Sequence, residues 1–373
     1  MTSESSDCIR ILHVAETIKG GIASYLSELI PLQIAMYGVD AVSVIIPEEH
    51  LDTLTNVPAR CISSFKLRGG RIRSAIYLAG KVSRFLKCHH ISILHIHSSY
   101  AGLTVRPIIW FMPKRPKIIY CAHGWAFDRD CSWVARASAL KIERFFSKIC
   151  DAVVCISEHE FRAAGAIGIA KSKLELVKNG ISLSAPICSA PILWPDSRLR
   201  LLFVGRFDHQ KGFDLMLDAL HNLRDIAFAI MIGESVVDAP IMTATPENVA
   251  ILGWKSRGEL DAYYKGAEIL VMPSRWEGFG LTAVEAMRSE LPVLASAVGG
   301  LKDIVVDGVT GILFPPNSSK AIVDAIRCVG HKELNQMRQA ARRRFEDLFT
   351  AERMATELDV IYHRLLTHQD EFS

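Results

Sequence analysis

The stretch Leu201-Leu-Phe-Val204-Gly205-Arg206-Phe-Asp-His-Gln-Lys211-Gly212 runs into a pattern with Leu215, Leu217, Ala219 and Leu220, and its reading decides the fold. Four consecutive apolar residues suit a strand covered on both faces, whereas the spacing after Gly212 suits a helix. The same succession recurs at Ala227 to Ile232, Val249 to Leu252, Ile269 to Met272, Pro292 to Ala295 and Ile312 to Phe314. In the first half it appears at Ile9 to Ala15, Ala41 to Ile46, Ile91 to Ile96, Lys117 to Ala122 and Ala152 to Ile156. Strands alternating with helices predict an α/β protein with two doubly wound parallel sheets.

The length of 373 residues fits two domains of similar size, each large enough for its own core. Expected boundaries are an N-terminal domain over 1–180, a linker over 181–198 with Pro186, Pro191 and Pro195, a C-terminal domain over 199–348 and a closing segment over 349–373. In that last segment Met354, Leu358, Ile361 and Leu365 recur at helical spacing, so it reads as an amphipathic helix docking back on the N-terminal domain. Apolar residues make up 50% of the chain and charged residues 22%, which excludes a disordered or collagen-like protein. Nine Cys without a C-x-x-C pair exclude a disulfide scaffold and a zinc clip, and read as reduced thiols in a cytoplasmic protein. No secretory signal is visible at the N-terminus, and no apolar run is long enough to span a bilayer.

Net charge is only +3, which argues against a nucleic-acid partner held by bulk charge. The charge is nevertheless uneven: residues 1–185 carry +8 and the remainder −5. Between Thr53 and Phe127 there are twelve Lys or Arg and no acidic residue, where the chain average would place about eight. The basic residues within 60–117, with Trp110 and Phe111 among them, suit peripheral contact with an anionic membrane, at its inner face for a cytoplasmic protein. A solvated helix face is the plainer reading of the same charges.

Ligands of open α/β sheets bind beyond the carboxyl ends of the strands, so the loops there are the candidate sites. After the first strand, Gly20-Gly21 opens a helix, which suits an anion at free backbone N–H groups and equally an ordinary turn. His123, at the end of the Lys117 to Ala122 strand and before Gly124, can point its ring into a cleft. His95-Ile-His97 has the form of a metal pair but places no third ligand, and Asp128-Arg-Asp130 reads as surface, so no metal is expected. In the second half, Arg206 and Lys211 form a clamp for a diphosphate, a planar fork and a mobile point charge. The longest signal is Pro273-Ser-Arg-Trp-Glu277-Gly278-Phe279-Gly280-Leu281-Thr282-Ala-Val-Glu285. Its Gly-Phe-Gly-Leu amides open a helix toward a ligand, while Glu277 and Glu285 can each hold hydroxyl groups. Two carboxylates could also serve hydrolysis, a reading disfavoured by their separation along one path.

At these residues the chain resembles the retaining glycosyltransferases of family 4, the glycosyl transferases group 1 with the GT-B fold. The resemblance also covers Ile156-Ser157-Glu158, Val177-Lys-Asn179-Gly180, Gly233-Glu234, Leu252-Gly253, Gly299-Gly300 and Asp307-Gly-Val-Thr-Gly311. It implies two Rossmann-like domains facing each other across a cleft, with a nucleotide-sugar donor on the second and the acceptor on the first. It implies that Arg206 and Lys211 bind the diphosphate, Phe279 to Leu281 offer it backbone donors with Gly278 and Thr282 also at the donor, Glu285 holds the ribose and Glu277 the transferred sugar. His123, Gly20 and Gly21 would approach the donor from the first domain, and Gly253 and Lys255 would lie at the base. It further implies a metal-independent transfer with retention and no cofactor, the nucleotide-sugar, such as a UDP-sugar, being a co-substrate. The acceptor would be a glycan or a polyprenyl-pyrophosphate-linked glycan in assembly of a capsule, exopolysaccharide or lipopolysaccharide O-antigen. Alternatives are a nucleotide-sugar epimerase of the same fold, an inactive member serving an assembly complex, and a dinucleotide oxidoreductase, the last weakened by the missing G-x-G-x-x-G.

Overall fold

The computed structural model describes residues 9–184, 194–195, 197–235 and 245–367. The chain divides into two compact units, Met1–Ile181 with Ala351–Ser373, and Ser182–Thr350. Much of the linker expected at 181–198 lies outside the described residues, as do Cys8 and Cys188. The seven described cysteines are free thiols.

The first unit runs β1 (Ile11–Ala15), α1 (Gly21–Tyr37), β2 (Val42–Pro47), β3 (Ile62–Phe65), α2 (Arg71–Cys88), β4 (Ile93–His97) and α3 (Ser99–Trp110). It continues through β5 (Lys117–Cys121), α4 (Trp133–Ser147), β6 (Ala152–Cys155), α5 (Glu158–Ala166) and β7 (Leu174–Leu176). Its sheet is parallel in the order β3-β2-β1-β4-β5-β6-β7. The order reverses between β1 and β4, whose register sets His13 beside His95 and Ala15 beside His97. β1, β4 and most of β5 are buried at every position, as strands covered by helices on both faces must be. The edge strands β3 and β7 escape a reading by apolar runs, because they are short, partly exposed and carry Ser63, Ser64 and Glu175.

The second unit runs β8 (Leu199–Val204), α6 (Phe213–His221), β9 (Ala227–Ile232), β10 (Val249–Leu252), α7 (Arg257–Gly266), β11 (Ile269–Met272) and α8 (Leu281–Arg288). Then come β12 (Val293–Ser296), α9 (Leu301–Ile304), β13 (Gly311–Phe314), α10 (Ser319–Cys328) and α11 (His331–Leu348). This sheet is parallel too, in the order β10-β9-β8-β11-β12-β13, and reverses between β8 and β11. Both sheets are therefore Rossmann-like, each with one switch point where two loops diverge and leave room for a ligand.

The last described helix, α12 (Ala351–Thr367), belongs to the first unit. Its buried face carries Met354, Leu358, Ile361 and Tyr362, and it lies against α1. Tyr362 meets Gln33 at 3.1 Å, Tyr37 bonds Asp359, and the Ala351 amide donates to the Ile181 carbonyl at 2.9 Å.

Candidate functional site

In the second unit the loops after β8 and β11, which flank the switch point, are tied together by side chains. Lys211 forms an ion pair with Glu277. Gln210 donates to the Trp276 carbonyl at 3.2 Å and accepts the Arg275 amide on its own carbonyl at 2.8 Å. Arg275 closes the set by gripping Asp214 at the start of α6, at 2.6 Å and 2.8 Å. Arg206 stands beside Asp208 at 3.1 Å and Gln210 at 2.6 Å, with 42% of its side chain exposed. The two cations of the expected clamp are thus brought to one place, each already matched by a carboxylate.

Backbone shape explains the glycines. Gly212 has φ +68°, and a Cβ there would overlap the Pro273 carbonyl oxygen. Gly299, at φ +45°, presses against the Glu277 carbonyl, which also accepts the Gly300 amide at 3.1 Å. The loop carrying Glu277 is therefore gripped on one side by the loop after β8 and on the other by the loop after β12. Helix α8 starts behind Gly280 with no side chain capping it, and α6 starts the same way behind Gly212. In contrast, α7 begins with a Ser256 and Glu259 capping box that satisfies its first-turn donors internally. An uncapped first turn at a switch point offers N–H groups to an anion.

Glu285 sits one helical stretch further on, where the Tyr264 hydroxyl donates to its carboxylate at 2.8 Å. Burial of Tyr264, with the Glu285 charge beside it, raises its pKa well above the usual phenol value, so it stays a donor. Gly253 follows β10, and a Cβ there would reach 3.3 Å from the Glu234 carboxylate. Lys255 pairs with Glu259 at 3.6 Å.

The first unit holds the remaining candidates. Gly20, at φ +91°, caps α1 without a side-chain hydrogen bond, and Gly21 is the first helical residue. His123 has φ +53°, an uncommon conformation for a residue with a Cβ. What holds it there is Glu160, fully buried on α5, which accepts the Gly124 amide at 2.7 Å and the Ile156 amide at 3.1 Å. Burial raises the Glu160 carboxyl to about 7 despite these bonds.

Behind His123 lies a cluster that sequence reasoning did not assemble. His123 Nε2 meets His97 Nδ1 at 2.9 Å, and His97 Nε2 meets His13 Nδ1 at 3.0 Å. His13 Nε2 then meets the Gln33 side-chain oxygen at 2.7 Å, and the Tyr362 hydroxyl meets His95 Nδ1 at 3.0 Å. Tyr25 sets its ring edge-on to His123, with centroids 4.7 Å apart. His13 is the third ligand type that the His95-x-His97 pair lacked: one nitrogen from each of the three lies within 4.8 Å of the others. Alternation along β4 turns His95 and His97 to one face, but only strand register supplies His13. Asp128 pairs with His159 at 2.9 Å.

Two family models match, "Glycosyltransferase Family 4" over residues 19–185 and "Glycosyl transferases group 1" over residues 188–344. A "41.2 kDa protein in cps region" of Klebsiella pneumoniae is 31% identical over 366 residues, covering 95% of this chain and 99% of that one. The "O-antigen chain mannosyltransferase C" of Escherichia coli is 31% identical over 174 residues, 44% of this chain and 46% of its own length. Among solved structures, a sucrose-phosphate synthase from Thermosynechococcus elongatus aligns with a TM-score of 0.80 at 20% identity, over 96% of this chain and all of that one. Anabaena Alr3699/HepE in complex with UDP aligns with a TM-score of 0.78 at 16% identity, over 95% of this chain and all of that one.

Proposed function

This chain belongs to glycosyltransferase family 4, the glycosyl transferases group 1, and from that premise we propose that it moves a sugar from a nucleoside-diphosphate donor, UDP being the first choice, to a growing surface polysaccharide. The observation that carries this reading is the meeting of Arg206, Lys211 and Glu277 with the uncapped starts of α6 and α8 at one switch point. That set is matched to a diphosphate: two cations and first-turn amides. On donor binding the phosphate oxygens replace Glu277 as the partner of Lys211, and Glu277 turns to the hydroxyl groups of the sugar.

As the glycosidic bond to the diphosphate breaks, negative charge grows on the leaving oxygens. Arg206, Lys211 and the Phe279 to Leu281 amides stabilise that charge without rearrangement. The departing phosphate assists the incoming hydroxyl on the same face, which gives retention. Glu285, steadied by Tyr264, holds the ribose, and Gly253 and Lys255 border the base. Fixed cations do the work of a divalent ion, so the reaction proceeds without one.

The acceptor is a glycan or lipid-linked glycan, which brings the protein to an anionic membrane surface. Supporting this, α2, α4 and the end of α3 expose large apolar side chains close in sequence to cations; no described helix is long and apolar enough to cross a membrane. Ile72 and Ile76 stand out next to Arg73, Phe111 is 85% exposed beside Lys114, and Trp133 is 81% exposed near Arg136. α4 lies beyond the basic stretch 60–117 in the chain and packs against α3.

The test is a panel of UDP, GDP and ADP in thermal unfolding, followed by donor turnover with and without a lipid-linked acceptor. One nucleotide at about 100 times its Kd adds about 2.7 kcal/mol to stability. Stabilisation by none of the three overturns the donor reading, and consumption of donor without acceptor replaces transfer by epimerisation or hydrolysis.

A further inference from the structure

The hydrogen bonds behind His123 fix where each proton sits. The Gln33 side-chain oxygen only accepts, so His13 carries its proton on Nε2. A neutral His13 then has a lone pair on Nδ1, which accepts from His97 Nε2 at 3.0 Å. His97 in turn has its lone pair on Nδ1, which accepts from His123 Nε2 at 2.9 Å. The Gln33 amide group has its own orientation set by donating to the Tyr362 hydroxyl at 3.1 Å, and Tyr362 donates onward to His95 Nδ1. All the bonds run in one sense. His13, His95 and His97 are wholly buried, and that burial keeps them neutral, as the direction of their pKa values also indicates.

We propose that Gln33 is a positioning residue which, through His13 and His97, locks His123 in the Nε2–H tautomer, so that Nδ1 of this half-buried residue is left to meet a ligand as an acceptor. A lone pair at that atom receives a hydroxyl and turns away a phosphate oxygen, so this ring selects the saccharide portion of a ligand over its anionic portion. The tautomer stands on the geometry alone, and naming the hydroxyl as one of a saccharide rests on the function proposed above. The same nitrogens could gather round a cation, since His95 Nε2 is buried with no partner. A cation there would take the place of the proton between His13 and His97, and three neutral imidazoles suffice as ligands for zinc, so relay and metal site exclude each other.

The experiment is long-range 1H–15N correlation on the whole protein labelled at histidine, near pH 7.5. In the wild type His123 shows a protonated Nε2 and a bare Nδ1; an Nδ1–H form or an imidazolium overturns the proposal. Gln33→Leu strips the terminal acceptor, and the Nδ1–H form of His123 becomes populated, whereas Gln33→Glu keeps an acceptor and keeps the wild-type form. A His123 signal unmoved by Gln33→Leu overturns the relay, and if that variant does not fold the wild-type spectrum still decides. One equivalent of zinc held by the purified wild type, with metal-shifted His13, His95 and His97 nitrogens, also overturns it. In binding, Gln33→Leu weakens the sugar nucleotide about tenfold while leaving the free nucleoside diphosphate unchanged. Equal weakening of both removes the hydroxyl assignment, and wild-type failure to bind any nucleotide removes the donor reading while leaving the tautomer result intact.

Discussion

Both units put their candidate residues beyond the carboxyl ends of parallel strands, yet they treat polarity in opposite ways. In the second unit the polar groups are charged and paired, across two loops for Lys211 and Glu277 and within one loop for Arg206 and Asp208. In the first they are neutral, wholly buried and hydrogen-bonded ring to ring, from His97 through His13 to Gln33. An exposed pair such as Arg206 and Asp208 exchanges partners at little cost, which suits a surface that must accept a multiply charged ligand. Buried neutral chains rearrange only with difficulty, which suits a surface that presents one fixed face. The first unit carries a buried charge as well, Arg106, which bonds Glu143 at 3.0 Å while Glu143 accepts the Tyr120 hydroxyl at 2.8 Å.

That contrast can be broken most forcefully at Glu143. Glu143→Ala leaves the Arg106 guanidinium buried without its carboxylate and costs about 3–5 kcal/mol in urea unfolding. Asp208→Ala, beside a 42% exposed Arg206, costs less than about 1 kcal/mol. Similar losses from the two would erase the distinction between the units. Next in size, Lys211→Ala lowers the rate of transfer by about 100- to 1000-fold with the unfolding transition little changed. A variant retaining full turnover would remove the cationic clamp from the chemistry.

The pH dependence sharpens the picture of the first unit. Burial takes His13 from 6.5 down to about 4, so the unfolded chain binds the extra proton and stability falls as pH drops through 6.5 toward 4. Glu160 runs the other way: raised from 4.5 to about 7, it contributes stability that is full below 4.5 and lost as pH rises through 7. Between pH 7 and pH 5 each amounts to on the order of 2 kcal/mol, with opposite sign. Glu160→Gln therefore loses stability on acidification more steeply than the wild type, and His13→Asn less steeply, as urea midpoints at the two pH values will read. The smallest expected effect is at Asp128: Asp128→Asn with EDTA leaves turnover within about twofold. A collapse of activity there would restore a metal to the mechanism.

What the sequence made legible depended on how local the signal was. Strands with unbroken apolar runs, such as Ala227–Ile232 and Ile269–Met272, read correctly because burial on both faces leaves no polar position. The loops at Gly205 to Lys211 and Glu277 to Thr282 read as ligand loops because strand, glycine and helix follow within a dozen residues. Their stitching did not: Gln210, Arg275 and Tyr264 act on partners up to 66 residues away. The histidine cluster was least legible, since it needs the register of β1 on β4 and a tyrosine from α12, and the His95 to Tyr362 bond spans 267 residues. A lone H-x-H carries no hint of that.

The return of α12 also bears on how the chain comes into being. As it leaves the ribosome, β1 to β7 are complete long before Ala351 is made, and all of Ser182–Thr350 must be translated in between. Through that interval the face of α1 bearing Gln33 and Tyr37 waits uncovered, a natural stopping place for a chaperone. A nascent chain cut short anywhere in the second unit would carry a finished-looking but unsealed first one.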